Sequence, residues 1–273
     1  MASSLEAIFG PEPGAFLASA FVLANVVGGV AVAAVAILRL PIRRLIGPSA
    51  AYNLWILPPL AAAATPVAIL VSHANTPVGA LFDLPAAATV LGGVWALGAL
   101  ALALIFAVAQ AQFMAEVRAG RAGPAVVGLI YPRIVLPSED SGYTAPERDL
   151  IRAHEREHVA RKDPRAAAAA ALLQCLCWFN PLVHLAAYLV RLDQELACDA
   201  AVIRSRPQAR GLYAQTLLKT QLAHTPLPFG CYWPARGLHP LEVRIGLLKR
   251  RSGQPGRGDG SAVVSATVES IRP

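Results

Sequence analysis

Charge is scarce in this sequence: only 15% of its 273 residues are Asp, Glu, Lys or Arg, while 55% are hydrophobic. A water-soluble domain carries about a quarter charged residues, so this shortage, with a mean hydropathy of +0.49, argues against a soluble enzyme. The shortage is uneven. The first 110 residues hold six charges (Glu6, Glu12, Arg39, Arg43, Arg44 and Asp83) that sum to zero, so the whole net charge of +7 falls later. Cysteine is also rare. Cys175, Cys177, Cys198 and Cys231 show no C-x-x-C spacing, which excludes a disulfide scaffold and leaves buried apolar thiols as the simplest reading. There is no internal repeat, no phosphate-cradling glycine loop and no serine nucleophile elbow. No aromatic and basic interleaving accompanies the positive charge, so direct nucleic-acid binding is not expected.

The sequence does have long uncharged runs. Residues 14–38, 50–71 and 85–109 contain no charge, and each exceeds the ~20 residues or so that a helix needs to cross a bilayer core. The first is too long for the apolar core of a signal peptide, and acidic Glu6 and Glu12 precede it where basic residues would be needed. Pro58, Pro59 and Pro66 should kink the second. Gly92, Gly93 and Gly98 give the third a small-residue surface for close helix contact. No ionisable residue marks a polar pathway through these runs, which disfavours a transporter or channel. Arg39, Arg43 and Arg44 lie between the first two runs, and nine basic residues lie between Glu116 and Arg165. The positive-inside rule then puts the N-terminus outside and everything after the third span in the cytoplasm, with residues 72–84 as the main external connection.

The polar half contains HEREH at residues 154–158, the H-E-x-x-H pattern of zinc peptidases. Thr144 with Glu147 forms a capping-box signature, Pro146 suits the first turn and Asp163-Pro164 ends the segment, so a helix should carry the motif. On it His154 and His158 lie one turn apart on one face and can share a metal. A catalytic zinc needs a third protein ligand. Glu195 in RLDQELACDA is the best candidate, with Asp199 one turn on as a hydrogen-bond acceptor for a ligand imidazole. The plain alternative is a solvated helix face pairing with Arg191.

Between these motifs lies a fourth uncharged run, residues 166–190. As one straight helix it would hold His158 and Glu195 more than ~35 Å apart, too far for one metal. Asn180-Pro181 is a helix-start signal. A helical hairpin of residues 166–178 and 181–203 is therefore expected at the cytoplasmic leaflet. Residues 126–137, VVGLIYPRIVLP, read as a short hairpin or edge strand near the site, able to hold an extended substrate by strand addition.

The blocks HEREHVARKDP and CWFNPLVHLAAYLVRLDQELACDAAVI, with weaker echoes in VGLIYPRIVLP, around Tyr213 and in EVRIGLL, resemble the BlaR/MecR-type family of membrane zinc metallopeptidases over about residues 123–248. The resemblance implies a mainly α protein, with three transmembrane helices followed by a cytoplasmic, membrane-associated gluzincin-like peptidase domain and a small β element. It implies one zinc per chain on His154, His158 and Glu195, with Glu155 as catalytic base, and a signalling role in cleaving a cytoplasmic protein, typically a transcriptional repressor, as in regulation of antibiotic resistance. No further apolar run follows Ile203, so sensing is expected from a separate protein.

The expected organisation is a membrane region at 1–112, a peptidase domain at 113–251 and a disordered tail at 252–273, in a bacterial-type inner membrane. Lys249, Arg250 and Arg251 would meet anionic lipid. His184, Tyr188, Arg191 and Tyr213 are candidate substrate or transition-state contacts, with His224 further along. The competing reading is a non-enzymatic transducer or scaffold that keeps the metal-site fold.

Overall fold

A computed structural model describes residues 13–72, 85–136, 142–222 and 240–249. Most of the 72–84 connection, His224, Cys231, Arg250, Arg251 and the 252–273 tail lie outside these residues. The chain folds as two compact units, Met1–Ala107 with Ala169–Val190, and Val108–Ala168 with Arg191–Pro273. Residues 169–190, which the sequence division kept with the peptidase domain, thus pack with the apolar helices.

Three apolar helices long enough to cross a membrane are present among the described residues, at Phe16–Leu45, Pro48–Val71 and Thr89–Arg118. Helix α1 is Pro13–Leu45. The second span is built from α2 (Pro48–Asn53), a 3-10 turn (Leu54–Ile56) and α3 (Leu57–Ser72). Its irregularity has a cause: Pro58 and Pro59 cannot donate to the preceding turn, and the tighter turn lies just before them. Further on the helix runs through Pro66, where the Thr65 hydroxyl donates to Ala61 O at 3.0 Å. Helices α1 and α3 approach closely at Gly28, where a Cβ would come 3.3 Å from the Ala62 methyl. The third span lies in α4 (Pro85–Arg118).

The fourth uncharged run breaks into the ends of two helices, α6 (Asp163–Leu176) and α7 (Pro181–Ser205). Asn180 starts α7 as expected, its Oδ1 accepting from Leu182 N at 3.0 Å. The turn is wedged among the spans. Trp95 Nε1 donates to Leu176 O at 2.8 Å, Trp178 Nε1 donates to Trp95 O at 3.1 Å, and Asn180 Nδ2 donates to Asn25 Oδ1 at 3.1 Å. Asn25 lies well inside the Phe16–Leu45 span, about 14 Å from its start at ~1.5 Å per residue. The hairpin tip therefore sits beside the interior of the spans. Of the three glycines in α4, Gly92 and Gly93 meet nothing within 4 Å, whereas a Cβ at Gly98 would overlap the Trp178 indole.

In the second unit, strands β1 (Ala125–Val127) and β2 (Arg133–Val135) pair antiparallel with Val126 opposite Ile134. Gly128 makes the turn at φ +104, and a Cβ there would lie 2.6 Å from Tyr131 O, so glycine is required. Helix α5 (Ala145–Ala160) carries HEREH and opens with the expected capping box: Thr144 N donates to Glu147 Oε2 at 2.7 Å and Glu147 N to Thr144 Oγ1 at 3.4 Å. Lys219 on α8 (Arg210–Leu222) also donates to Glu147 Oε2 at 3.0 Å. Burial opposes ionisation of Glu147, but the Thr144 and Lys219 bonds outweigh it and lower its pKa. Leu150, Val202, Ile203, Tyr213, Leu217 and Leu248 form the core beneath α5, the last from α9 (Pro240–Lys249).

The hairpin packing is testable. Gly98→Val should cost about 1–3 kcal/mol through overpacking, read as a lower unfolding midpoint in detergent, whereas Gly92→Val should change little; equal effects would remove Gly98 from the contact.

Candidate metal centre

Two helices bring the chemistry together. His154, Glu155 and His158 come from α5, and Glu195 and Asp199 from the second half of α7. His154 Nε2 and His158 Nε2 are 3.0 Å apart, and Glu195 places Oε2 3.3 Å from the first and Oε1 3.6 Å from the second. Each ring has its other nitrogen committed. His158 Nδ1 donates to Asp163 Oδ2 at 2.8 Å. Tyr213 donates its hydroxyl to Asp199 Oδ1 at 2.7 Å, so its oxygen accepts from His154 Nδ1, also at 2.7 Å.

These commitments fix the tautomers. With both Nδ1 atoms protonated, the neutral rings present two Nε2 lone pairs to each other, an arrangement that repels unless a proton or a cation lies between them. A tetrahedral ion with ligand bonds of about 2.0–2.1 Å sets its ligand atoms about 3.3 Å apart, close to the three separations observed. His154, His158 and Glu195 could therefore hold one metal ion.

A second group, His158, Asp163 and Cys198, lies behind the His158 ring. It is the poorer set. Burial pushes the Cys198 thiol up to about 11 and keeps it protonated, 3.7 Å from Asp163 Oδ2, and His158 Nδ1 already donates to that carboxylate.

Charges in the cluster support one another. Burial alone would raise the Glu195 pKa, but Arg244, His158 and His154 hold it well below the usual carboxylate range. Burial would likewise lower His158, yet Glu195 and the bond to Asp163 hold it well above its ordinary value. Glu155 is buried, and burial raises its pKa against the opposing pull of His154 and His158. Glu155, His154, His158 and Glu195 line one cavity of about 320 Å³, together with Arg191, Gln110 and the whole of β1 with Gly128. Gln110 Oε1 is buried without a hydrogen-bond partner.

Residues 114–248 match the model of the BlaR1 peptidase M56 family. That region of the chain is a peptidase region of this family. The chain is also 34% identical over 97 residues to the regulatory protein BlaR1 of Bacillus licheniformis; the alignment covers 35% of this chain but only 16% of that protein. No solved structure matches it. The chain is thus a membrane protein with a BlaR1-type peptidase region, mostly helical, with one two-stranded sheet among its described residues.

Several expected contacts fall elsewhere. His184 bonds with Gln174 Nε2 at 3.1 Å and Trp178 O at 2.9 Å inside the hairpin. Tyr188 packs beside Val32, Val35 and Trp55. Both belong to the first unit, because the opening stretch of α7, up to Val190, packs there and not with the site. Tyr213 lines the cavity and holds His154 by its Nδ1, and Asp199, 3.4 Å from that nitrogen, reaches the ring through the Tyr213 hydroxyl. Arg191 does line the cavity.

Two site residues escaped the sequence reading. Asp163 carries a helix-stop signal with Pro164, and its place five residues after His158 in HEREHVARKDP is the local sign of its bond to that ring. Arg244 lies on a separate helix, and no local spacing ties it to Glu195. The Asp163 bond gives a prediction: Asp163→Asn should weaken binding of a divalent metal about 10–100-fold, measured by competition with a chromogenic chelator. Unchanged affinity would mean that the His158 tautomer is set otherwise.

Proposed function

We propose that the chain is a membrane-bound zinc metalloendopeptidase acting in signal transduction, with its catalytic unit on the cytoplasmic side of a bacterial-type inner membrane. The observation that carries this reading is the meeting of three metal-compatible donors and a buried carboxyl group, Glu155, on one cavity. His154, His158 and Glu195 would hold the ion, and the tautomers fixed by Tyr213 and Asp163 leave the right nitrogens free. When bound, zinc supplies Lewis-acid polarisation of a substrate carbonyl and acidifies water.

The residues supply the remaining steps. Glu155 takes a proton from the attacking water and returns it to the leaving amide nitrogen. Strand β1 pairs with β2 on one edge, and all three of its residues line the cavity. An extended substrate segment docks along β1 as an added strand, while Gln110 Oε1 offers an acceptor for a substrate N–H. The substrate class is a cytoplasmic or membrane-associated regulatory protein, such as a transcriptional repressor, with a separate protein sensing the stimulus. Arg39, Arg43 and Arg44 at the end of the first span's helix support an external N-terminus.

Protein purified in detergent should carry about one zinc per chain. Glu155→Gln should keep the zinc and lose about 10²–10⁴-fold in peptide-bond cleavage. Comparing peptides from cells carrying wild type and Glu155→Gln finds the substrate as a protein that persists only with the variant. Less than about half an equivalent of zinc, or cleavage unaffected by Glu155→Gln, would reject the peptidase reading.

A further inference from the structure

The donors of the candidate centre are held from behind by one guanidinium. Buried Arg244 donates from Nη1 to Glu195 Oε2 at 2.9 Å, from Nε to Asp199 Oδ2 at 2.8 Å and from Nη2 to Asp199 Oδ1 at 2.8 Å. Asp199 Oδ1 in turn accepts from Tyr213, whose oxygen accepts from His154 Nδ1. Arg244 thus fixes one donor, Glu195, directly and a second, His154, through Asp199 and Tyr213. It stands on α9, a helix that contributes no donor itself and is anchored through Leu248 in the core with Tyr213 and Leu217.

Glu195 and Asp199 are one turn apart on α7, and Asp199 is fully buried. Two carboxylates so placed repel and could not both stay ionised without a buried cation. The planar fork of arginine can grip one carboxylate with two nitrogens while a third reaches another; a lysine ammonium cannot. By charge alone a cation here opposes a second cation bound nearby, so what Arg244 contributes toward a metal is orientation of the carboxylates.

We propose that Arg244 is a positioning residue for the metal centre and that seating of α9 completes the centre, so that zinc binding and α9 docking stabilise each other. The inference rests on the zinc reading above. It assigns to the last described helix a control over the site: whatever lifts α9 weakens metal binding without touching a donor.

The test uses the full chain in detergent with zinc alone as the probe. Arg244→Lys keeps the charge and loses the fork. It should bind zinc about 10–100-fold more weakly in chelator competition, measured where the metal-free variant keeps the far-UV circular dichroism of wild type. Leu248→Ala, which loosens α9 without removing a polar group, should also weaken zinc binding. By the reciprocity of linked equilibria, zinc should slow amide hydrogen exchange in residues 240–249 of the wild type, and Arg244→Lys should lose that slowing. Zinc affinity of Arg244→Lys within about threefold of wild type, or exchange in 240–249 indifferent to saturating zinc, overturns the proposal while leaving the peptidase reading standing. Should Arg244→Lys fail to fold, wild-type exchange and Leu248→Ala decide. A wild type that binds no zinc defeats both readings together.

Discussion

The Nε2 atoms of His154 and His158 face each other 3.0 Å apart, and much of the second unit is built so that they must. Left to themselves, two imidazoles one helical turn apart would rotate away from each other or into water. Asp163 holds one ring by its Nδ1, Tyr213 holds the other, and Glu195 closes the third side with its carboxylate pinned by Arg244. The holding groups are themselves held. Tyr213 and Leu248 share a core with Leu150 of the motif helix, and the capping box of Thr144 and Glu147 sets where that helix begins. Local stability and site geometry are therefore carried by the same residues.

The same constraint explains the most unusual stretch of the chain. Helices α6 and α7 begin and end in the second unit, but residues 169–190 between them belong to the first, where their turn is hydrogen-bonded to Trp95 and Asn25. Polar bonds of this sort between apolar helices keep their partners in register, although each is worth only about 0.6–1.7 kcal/mol among membrane helices. Gly98 adds the space that the Trp178 ring needs. An uncharged run long enough to span a bilayer is thus turned back on itself, which lets two motifs separated by it in sequence meet.

What was legible in the sequence follows from the range of each signal. Uncharged length gave the three spans, the capping signature gave the start of the motif helix, and Asn180-Pro181 gave the hairpin break, because each depends on neighbouring residues alone. The meeting of His154, His158 and Glu195 was legible only by adding a physical demand, that one metal needs three donors within a few ångströms. Where the demand ran through a third helix, it failed. Arg244 is a lone arginine on α9, and its partnership with Glu195 and Asp199 exists only in the fold. His184 and Tyr188 misled for the opposite reason: helical phase put them on the side of Glu195, but a 25-residue helix can serve two different units along its length.

The central claim is that one metal ion sits between His154, His158 and Glu195, and X-ray absorption spectroscopy of the zinc-loaded full chain tests it most directly. The account predicts only nitrogen and oxygen neighbours at about 2.0–2.1 Å, with two imidazole signatures that fall to one in His154→Ala. A sulfur neighbour at about 2.3 Å would place the ion instead with Cys198 behind the His158 ring, and would contradict it.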